Sequence, residues 1–271
     1  MDILVCFKVV HDLDMLGESD WETGENLNID LSYTKKALNS FDESALEIAL
    51  NLSDSSEGFH APVKLTALSI TGDLIENFIK TLYALKYDKV VQIDYAGDLR
   101  FNSAGVAHII AAYYKKHCTE QAIFMGRQSG CGDNGETPLR VAELLGIPCV
   151  TGVLNMKRTS REDILKVIRQ VNNGTVTQLI KLPAVFQIGD SPITHMRVPT
   201  LKDKMNTKNM KAVALSLEDL NLDSTYIQDL SDIELISLVR IRDERKTTII
   251  DGKDAFEKAD ILYHNYIKER L

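Results

Sequence analysis

The sequence predicts an α/β fold in which a mostly parallel β-sheet lies between two layers of helices. Through the first half of the chain, short apolar runs rich in β-branched residues alternate with segments whose apolar residues recur at helical spacing. The runs are apolar at consecutive positions, which is typical of strands covered on both faces. Strands and helices that alternate at such intervals indicate a βαβ series joined by right-handed crossovers.

The individual elements follow from local signals along the chain. Asn39 or Ser40 can cap the first helix, and Asp42 suits the positive end of that helix. Gly146 is the kind of residue that ends a helix. The predicted strands span residues 3–10, 63–70, 89–93 and 122–125, and the predicted helices span residues 39–50, 74–84, 104–115 and 141–145.

From about residue 149 the pattern becomes rich in β-structure. Asn173 and Gly174 lie between two alternating runs and predict a β-hairpin. A polar loop at 190–211 follows, and an amphipathic helix at 253–270 ends the chain. Because such a helix needs another surface to bury its apolar face, we expect it to dock on its own domain or on a partner. The predicted division is an α/β domain at 1–211 and a C-terminal arm at 212–271.

Composition excludes several classes of function. The chain has 31 Lys and Arg against 39 Asp and Glu, a net charge of -8 that disfavours attraction to nucleic acids and anionic lipids. Its four cysteines lie far apart without a CxxC pair, which fits neither a zinc site nor a disulfide framework. No signal peptide and no run of membrane-spanning length is evident. We therefore expect a cytoplasmic protein without a metal site or membrane insertion.

The stretch GRQSGCGDNGETP, residues 126–138, is the strongest candidate for a binding loop. Ligands of open parallel sheets bind at the carboxyl ends of the strands, where this stretch lies with the loops 8–12 and 69–73. Glycines let backbone N–H groups approach a ligand closely, and the following helix adds positive potential. Asp133 and Glu136 oppose a bare phosphate unless they face ribose hydroxyls. Since neither a P-loop nor GxGxxG is present, the stretch is either a nucleotide loop or a structural one.

No pattern of catalytic residues accompanies this loop. Cys131 has no neighbouring positive group or spaced histidine, so we expect an inert or merely exposed thiol. His11 and His195 are lone histidines of predicted loops, where solvated side chains are the rule. We assign no catalytic residue. The loop 190–211 carries Met and Leu among basic residues, which fits either a plain surface loop or a partner-docking element.

Several of these stretches resemble, in order and spacing, the β subunits of electron-transfer flavoproteins. The resemblance covers most of the chain, and no single stretch decides it. The matching stretches are ILVCFKVVHD, NSFDESALEIAL, GRQSGCGDNGETP with LRVAELLGIP, LPAVFQI and PTLKDKM.

The resemblance implies a Rossmann-like, three-layer αβα fold, similar to the adenine-nucleotide α-hydrolases, with the C-terminal arm appended. It also implies AMP in this subunit, a heterodimer with an α subunit that carries FAD, and electron transfer between a dehydrogenase and an acceptor. Phe41 falls where the family places an aromatic ring near the partner's flavin, and Leu13 falls where another aromatic is common. Leu201 and Met205 match the segment that docks on the dehydrogenase. The nucleotide would contact Cys6, Asn39, Ser69, Ile70, Gly126, Gln128, Asp133, Asn134, Gly135, Glu136 and Thr137.

Departures from the family pattern leave the ligand open. Glu136 stands at a frequent glutamine, Pro138 stands at a frequent glycine, and NTKNMK replaces a denser lysine run. These features are similar to a divergent subgroup of the family. Bifurcating members hold a second FAD where conventional members hold AMP, and the charge of Glu136 favours AMP.

Two alternatives to a carrier subunit also remain. An enzyme of the ATP pyrophosphatase or stress-protein type would place a Ser/Gly-rich phosphate motif after the first strand, where this chain has FKVVHDLD. A flavin-free interaction protein is the third interpretation.

Overall fold

The computed structural model describes residues 1–24, 27–55, 62–73, 75–117, 119–130, 135–231, 233–239 and 247–270. The strands are β1 (Asp2–Cys6), β2 (Val9–His11), β3 (Lys36–Leu38), β4 (Lys64–Ile70), β5 (Lys89–Ile93), β6 (Ala122–Gly126), β7 (Cys149–Arg158), β8 (Ile164–Val171), β9 (Gly174–Lys181), β10 (Ala184–Ile188) and β11 (Val213–Leu215). The α-helices are α1 (Ser40–Asp54), α2 (Glu76–Ala84), α3 (Ser103–His117), α4 (Thr137–Leu145), α5 (Leu201–Asn206), α6 (Ser224–Asp229) and α7 (Ala255–Leu262).

Nine of the described strands form one sheet in the order β11-β5-β4-β1-β6-β10-β7-β8-β9. The pairs from β11 to β7 are parallel, and β7, β8 and β9 form an antiparallel meander. The predicted mostly parallel α/β fold is therefore confirmed. The chain leaves β1 towards β4 on one side and returns as β6 on the other, so the topological switch point lies between β1 and β6.

Helices cover the sheet on both faces and give it two hydrophobic cores. Ile3 and Val5 of β1 point to the core beneath α1 and α2, whereas Leu4 points to the core beneath α3 and α4. This alternation explains why the parallel strands are apolar at consecutive positions. Phe124 and Phe186, fully buried on adjacent strands, pack edge to face with ring centroids 5.5 Å apart.

Most predicted elements are confirmed, with shifted ends. The first strand is shorter than predicted: β1 ends at Cys6, and Val9–His11 forms β2, which pairs with β3 outside the main sheet. The reason is that the N–H of Lys8 turns to the side chain of Asp42, 2.9 Å away. Gly146 ends α4 in the left-handed conformation (φ 66°), as predicted.

The second half of the chain confirms the predicted hairpin and adds detail. Val171 of β8 pairs with Gly174 of β9, so the turn residues are Asn172 and Asn173, one position before the predicted pair. Within the predicted loop 190–211, the structure has the short helix α5.

The C-terminal part of the chain consists of two different portions. The strand β11 adds to the edge of the main sheet beside β5, and α6 buries Ile227 in the core that includes α3. The domain boundary after residue 211 stays a prediction, although the sheet itself continues past it. In contrast, α7 buries none of its residues, and Phe256 on this helix is 88% exposed.

The central core should tolerate truncation far less than the exposed helix α7. We predict that Phe186→Ala lowers the free energy of unfolding by about 3–5 kcal/mol, because it leaves a cavity against Phe124. The matched control, Phe256→Ala, should change it by less than about 0.5 kcal/mol. Urea denaturation followed by circular dichroism measures both values, and equal losses in the two variants would contradict the assignment of the core.

Candidate functional site

A cleft of about 440 Å³ lies at the carboxyl ends of β1, β4 and β6, at the switch point of the sheet. The three loops expected to converge there do so, since each contributes lining residues. A fourth wall, the β5–α3 loop at 95–100, was missed by the sequence analysis. Its position after a parallel strand was the signal that could have found it, because all these strands end at the same edge.

Asp42, in the first turn of α1, holds two of these loops together. Its carboxylate accepts a hydrogen bond from the N–H of Lys8 through Oδ2 and one from the N–H of Gly126 through Oδ1, both at 2.9 Å. Gly126 cannot be replaced without movement, because a Cβ there would lie 2.3 Å from the Asp42 carboxylate. The loop after β1 and the start of the glycine loop are thus fixed relative to α1.

Burial determines the ionisation of Asp42. Its removal from water raises the pKa of the carboxyl group to about 6, an effect that the backbone hydrogen bonds from Lys8 and Gly126 only partly offset. The neighbouring thiol of Cys6 is also buried, and its pKa is raised well above the usual range by desolvation and by Asp42. Cys6 is therefore a neutral lining group and not a nucleophile.

The sequence suggested that the side chain of Asn39 caps α1. Asn39 does precede the helix, but its side chain makes no capping hydrogen bond. Instead its amide Nδ2 donates to the carbonyl of Gln128 at 2.9 Å. Farther along the glycine loop, Gln187 of β10 donates from Nε2 to the carbonyl of Gly135 at 3.2 Å. Two amide side chains from separate elements thus support the backbone of the glycine loop.

The structure brings most of the predicted nucleotide contacts to the cleft. Ser69 is buried at the end of β4, and its hydroxyl has no hydrogen-bond partner in the part of the chain that the structure describes. Phe41 does not line the cleft, and its ring is covered by the guanidinium of Arg127 at 4.9 Å. Asp133 and Asn134, like Cys131, lie outside the described residues. Ser69, Gly135 and Glu136 are described but do not line the cleft. The predicted residues that line the cleft are Cys6, Asn39, Ile70, Gly126, Gln128 and Thr137.

Glu136, immediately before α4, is bound by protein groups on two sides. Its Oε2 accepts a hydrogen bond from the hydroxyl of Ser103 at 3.1 Å and lies 2.9 Å from the guanidinium of Arg140. Arg140 and then Ser103 lower the pKa of the Glu136 carboxyl group, so it carries a negative charge at neutral pH. Ser103 and Thr137, at the starts of α3 and α4, both line the cleft.

Other charges around the cleft are largely balanced. Arg100, Arg127 and Lys36 each form an ion pair with a carboxylate, namely Asp98, Asp190 and Asp73. The amine of Lys8 has a neutral partner, the hydroxyl of Ser129, at 3.5 Å. The cleft can therefore offer positive potential to a ligand with a small negative charge, through Lys8 and through the N-terminal ends of α3 and α4.

The loop 190–211 is anchored on α1. Arg197 donates to the carboxylate of Glu47 from its backbone N–H at 2.9 Å and from its guanidinium at 2.7 Å, and the guanidinium also pairs with Asp54. Four residues later, α5 presents Leu201 and Met205 to solvent, with 75% and 62% of their surfaces exposed. Sequence reasoning missed Arg197, because its partner Glu47 lies 150 positions away.

Comparison with known proteins places this architecture in a family. Residues 27–220 match the model of the electron transfer flavoprotein domain. The chain belongs to the electron transfer flavoprotein family. The predicted family resemblance is thus confirmed, and the matched region of this electron transfer flavoprotein subunit contains α1, the glycine loop and the loop that carries Arg197.

Three relatives of this electron transfer flavoprotein subunit are distant in sequence. The Escherichia coli (strain K12) protein named "Putative electron transfer flavoprotein subunit YgcR" is 28% identical over 274 residues, which cover 100% of this chain and 99% of the relative. The electron transfer flavoprotein subunit beta of Bacillus subtilis (strain 168) is 26% identical over 69% of each chain. The Methylophilus methylotrophus subunit beta is 22% identical over 97% of each chain. The subunit is therefore a divergent, β-like member of its family.

A search of the described residues found no helix long and apolar enough to cross a membrane.

The raised pKa of Asp42 predicts a defined pH dependence of stability. Because the folded-state pKa of about 6 exceeds the unfolded value of 3.8, the protonated group favours the folded state. Its contribution is fully present below pH 4, falls as the pH rises from about 4 to 6, and is absent above that range. We predict that Asp42→Asn removes this part of the pH dependence, about 3 kcal/mol in free energy of unfolding.

The measurement is urea denaturation of both proteins at several pH values between 4 and 7. The wild type should lose stability relative to Asp42→Asn as the pH rises to 6, and the difference should then stay constant. Glu143→Gln, which changes an exposed carboxylate of α4, is the control for general charge effects. A wild-type-to-Asp42→Asn difference that is the same at every pH would contradict the assignment.

Proposed function

We propose that this chain is the β-type subunit of an electron transfer flavoprotein and that it holds AMP in the cleft at the switch point of the sheet. The observation that carries the proposal is the cleft itself, in which the glycine loop and the starts of α3 and α4 meet. Backbone N–H groups and helix N-termini of this kind suit a phosphate.

The charges around the cleft support AMP over a ligand with more phosphates. Arg100, Arg127 and Lys36 are already paired with carboxylates. Among the described residues, this leaves Lys8 as the cation near the cleft with a neutral partner. One phosphate can be neutralised by Lys8 and by the backbone, whereas a diphosphate would bring a further charge close to Glu136. A second FAD in this cleft, as in bifurcating relatives, is the alternative.

The proposed partner is an α-type subunit that carries FAD, which supplies the one- and two-electron redox chemistry when bound. Apolar side chains that are uncovered in the single chain support such a heterodimer. They belong to the predicted arm, beyond the residues that complete the sheet: Ile233, Ile236, Val239, Ile249 and Phe256. Phe41, with Arg127 against its ring, is the side chain that we propose for the flavin-facing wall.

We propose that the chain serves as a carrier and not as an enzyme. Asp42 is engaged by two backbone N–H groups, and the thiol of Cys6 is neutral, so both ionisable groups at the base of the cleft have structural roles. Electrons would pass through the flavin of the partner between a dehydrogenase and an acceptor. The dehydrogenase would dock on Leu201 and Met205 of α5, which the Arg197 anchor places at the surface.

Ligand content tests the nucleotide assignment. We expect the chain, co-expressed with its α-type partner, to yield one AMP and one FAD per heterodimer by mass spectrometry of the released ligands. Gly126→Ala should lower the AMP content at least about tenfold, because its Cβ would displace Asp42 and the glycine loop. Gly130→Ala, in the same loop, should retain AMP, because no atom of the described residues lies within 4 Å of the added Cβ. Two FAD and no AMP per heterodimer would contradict the AMP assignment and support the bifurcating alternative. A ligand-free chain that hydrolyses ATP would contradict both interpretations.

Leu201 tests the docking assignment separately. We predict that Leu201→Ala slows electron exchange with the dehydrogenase about 5- to 30-fold, as expected for loss of an apolar anchor at an interface, while the AMP and FAD contents stay unchanged. Val198→Ala removes an apolar side chain of the same loop that is slightly more exposed than Leu201, and it should have less than about a twofold effect. Equal rates of electron exchange for Leu201→Ala and the wild type would contradict the proposed docking role of Leu201.

A further inference from the structure

The antiparallel meander of β7, β8 and β9 differs in charge from the rest of the chain. Its three strands contain five Lys and Arg and no Asp or Glu, although the whole chain has a net charge of -8. The five residues are Lys157, Arg158, Lys166, Arg169 and Lys181. The turn between β7 and β8 does carry carboxylates, and there Asp163 pairs with Arg161 at 2.8 Å. The strands themselves therefore form a basic surface on an acidic protein.

The register of the meander brings two of these lysines together. Lys157 lies directly opposite Lys166, and Lys166 lies opposite Leu179, so the three side chains form one row across the strands. Like charges directly opposite each other destabilise a sheet. Neither lysine forms an ion pair with another described residue. The chain thus retains a repulsion that a negatively charged surface would remove.

The two faces of the meander are covered differently. Met156, Leu165 and Val167 are buried in the core beneath α1 and α2. On the other face Lys166 is exposed, and 67% of the surface of Leu179 is exposed. The strand β9 is exposed at seven of its eight positions, whereas all five residues of β10 are buried. The open face thus combines lysines with an uncovered apolar side chain.

The strand β9 is also one edge of the nine-stranded sheet. It pairs with β8 in a regular register from Gly174 to Lys181. Edge strands are usually protected from other chains by prolines, bulges or charged side chains. Neither a proline nor a bulge interrupts β9, and its one charged residue, Lys181, is its last. This edge is therefore suited to burial against another chain.

The composition of the open face favours a protein partner over a nucleic acid or a lipid bilayer. The net charge of -8 repels both of these polyanionic surfaces. Leu179 offers an apolar contact in the same row as the lysines, and a phosphate group makes no use of such a contact. A protein surface with carboxylates around an apolar patch complements both features.

We propose that the open face of the meander, formed by Lys157, Lys166, Leu179 and Lys181, is an interface with the α-type subunit, which meets it with carboxylates around an apolar patch. The inference rests on the proposed heterodimer and adds the surface and the chemistry by which the two chains join.

The dissociation constant of the co-expressed heterodimer tests the inference, measured by analytical ultracentrifugation in about 50 and about 500 mM NaCl. The Kd of the wild type should rise about tenfold with salt, because screening weakens the attraction between opposite charges. Leu179→Glu should raise the Kd at least about tenfold, because it places a charge against the apolar patch. Lys166→Glu should raise the Kd about tenfold and reduce its salt dependence.

Two variants away from the meander are the matched controls. Lys115→Glu changes an exposed lysine of α3, next to Lys116, whose amine donates to the carbonyl of Asp219 at 2.6 Å. Val213→Glu changes an exposed apolar residue of β11, at the opposite edge of the sheet. Each should change the Kd less than about twofold, because distant sites act independently.

Hydrogen exchange keeps the test decisive if a variant does not fold. The amides of β9 should exchange at least about tenfold more slowly in the wild-type heterodimer than in the free chain. A wild-type chain that does not assemble with the α-type subunit would overturn the proposed function and this inference together. A heterodimer in which β9 stays unprotected, or whose Kd neither meander variant changes, would overturn the inference alone. If that result accompanied binding of the wild-type chain to phosphatidylserine vesicles, the face would belong to a lipid surface instead.

Discussion

The buried carboxylate of Asp42 is the constraint on which the geometry of the cleft depends. It satisfies two backbone N–H groups from opposite sides of the switch point, one after β1 and one at the end of β6. Without an acceptor, each buried N–H would cost roughly 1–3 kcal/mol, which explains why the fold keeps a carboxyl group where burial disfavours its charge. The shortened first strand and the glycine at position 126 both follow from these two hydrogen bonds.

Local signals in the sequence were sufficient for the layers of the fold. Consecutive apolar residues marked the parallel strands, and Gly146 marked the end of α4, because these features depend on near neighbours in the chain. The same signals failed at the end of β1. Val9 and Val10 have the composition of a buried strand, yet the side chain of Asp42, 34 residues after Lys8, turns the backbone away from the sheet.

The candidate cleft was predictable in outline and not in its contacts. Loops after parallel strands must meet at one edge, so the glycine stretch and two other loops could be placed there before the structure was known. The contacts that organise the cleft join residues far apart in sequence. Asn39 reaches Gln128 across 89 positions and Ser103 reaches Glu136 across 33, and no local pattern marks either pair. The usual role of asparagine at a helix start predicted a cap on α1, whereas the side chain of Asn39 bonds to the carbonyl of Gln128.

Helix α1 links the two regions that we assign to ligand and partner. Its first turn carries Asp42, which organises the cleft. Five residues farther along, about 7.5 Å of helix rise, Glu47 holds the loop 190–211 through Arg197. The residues of the loop 190–211 that follow Arg197 can therefore be changed while α1 stays unchanged. A chimaera that receives the tip from a distant relative would retain the cleft of this chain, provided that the junction lies after Arg197 and the acidic face of α1 is kept. The cleft and the exposed tip of the loop 190–211 can therefore change independently, although the same helix α1 supports both.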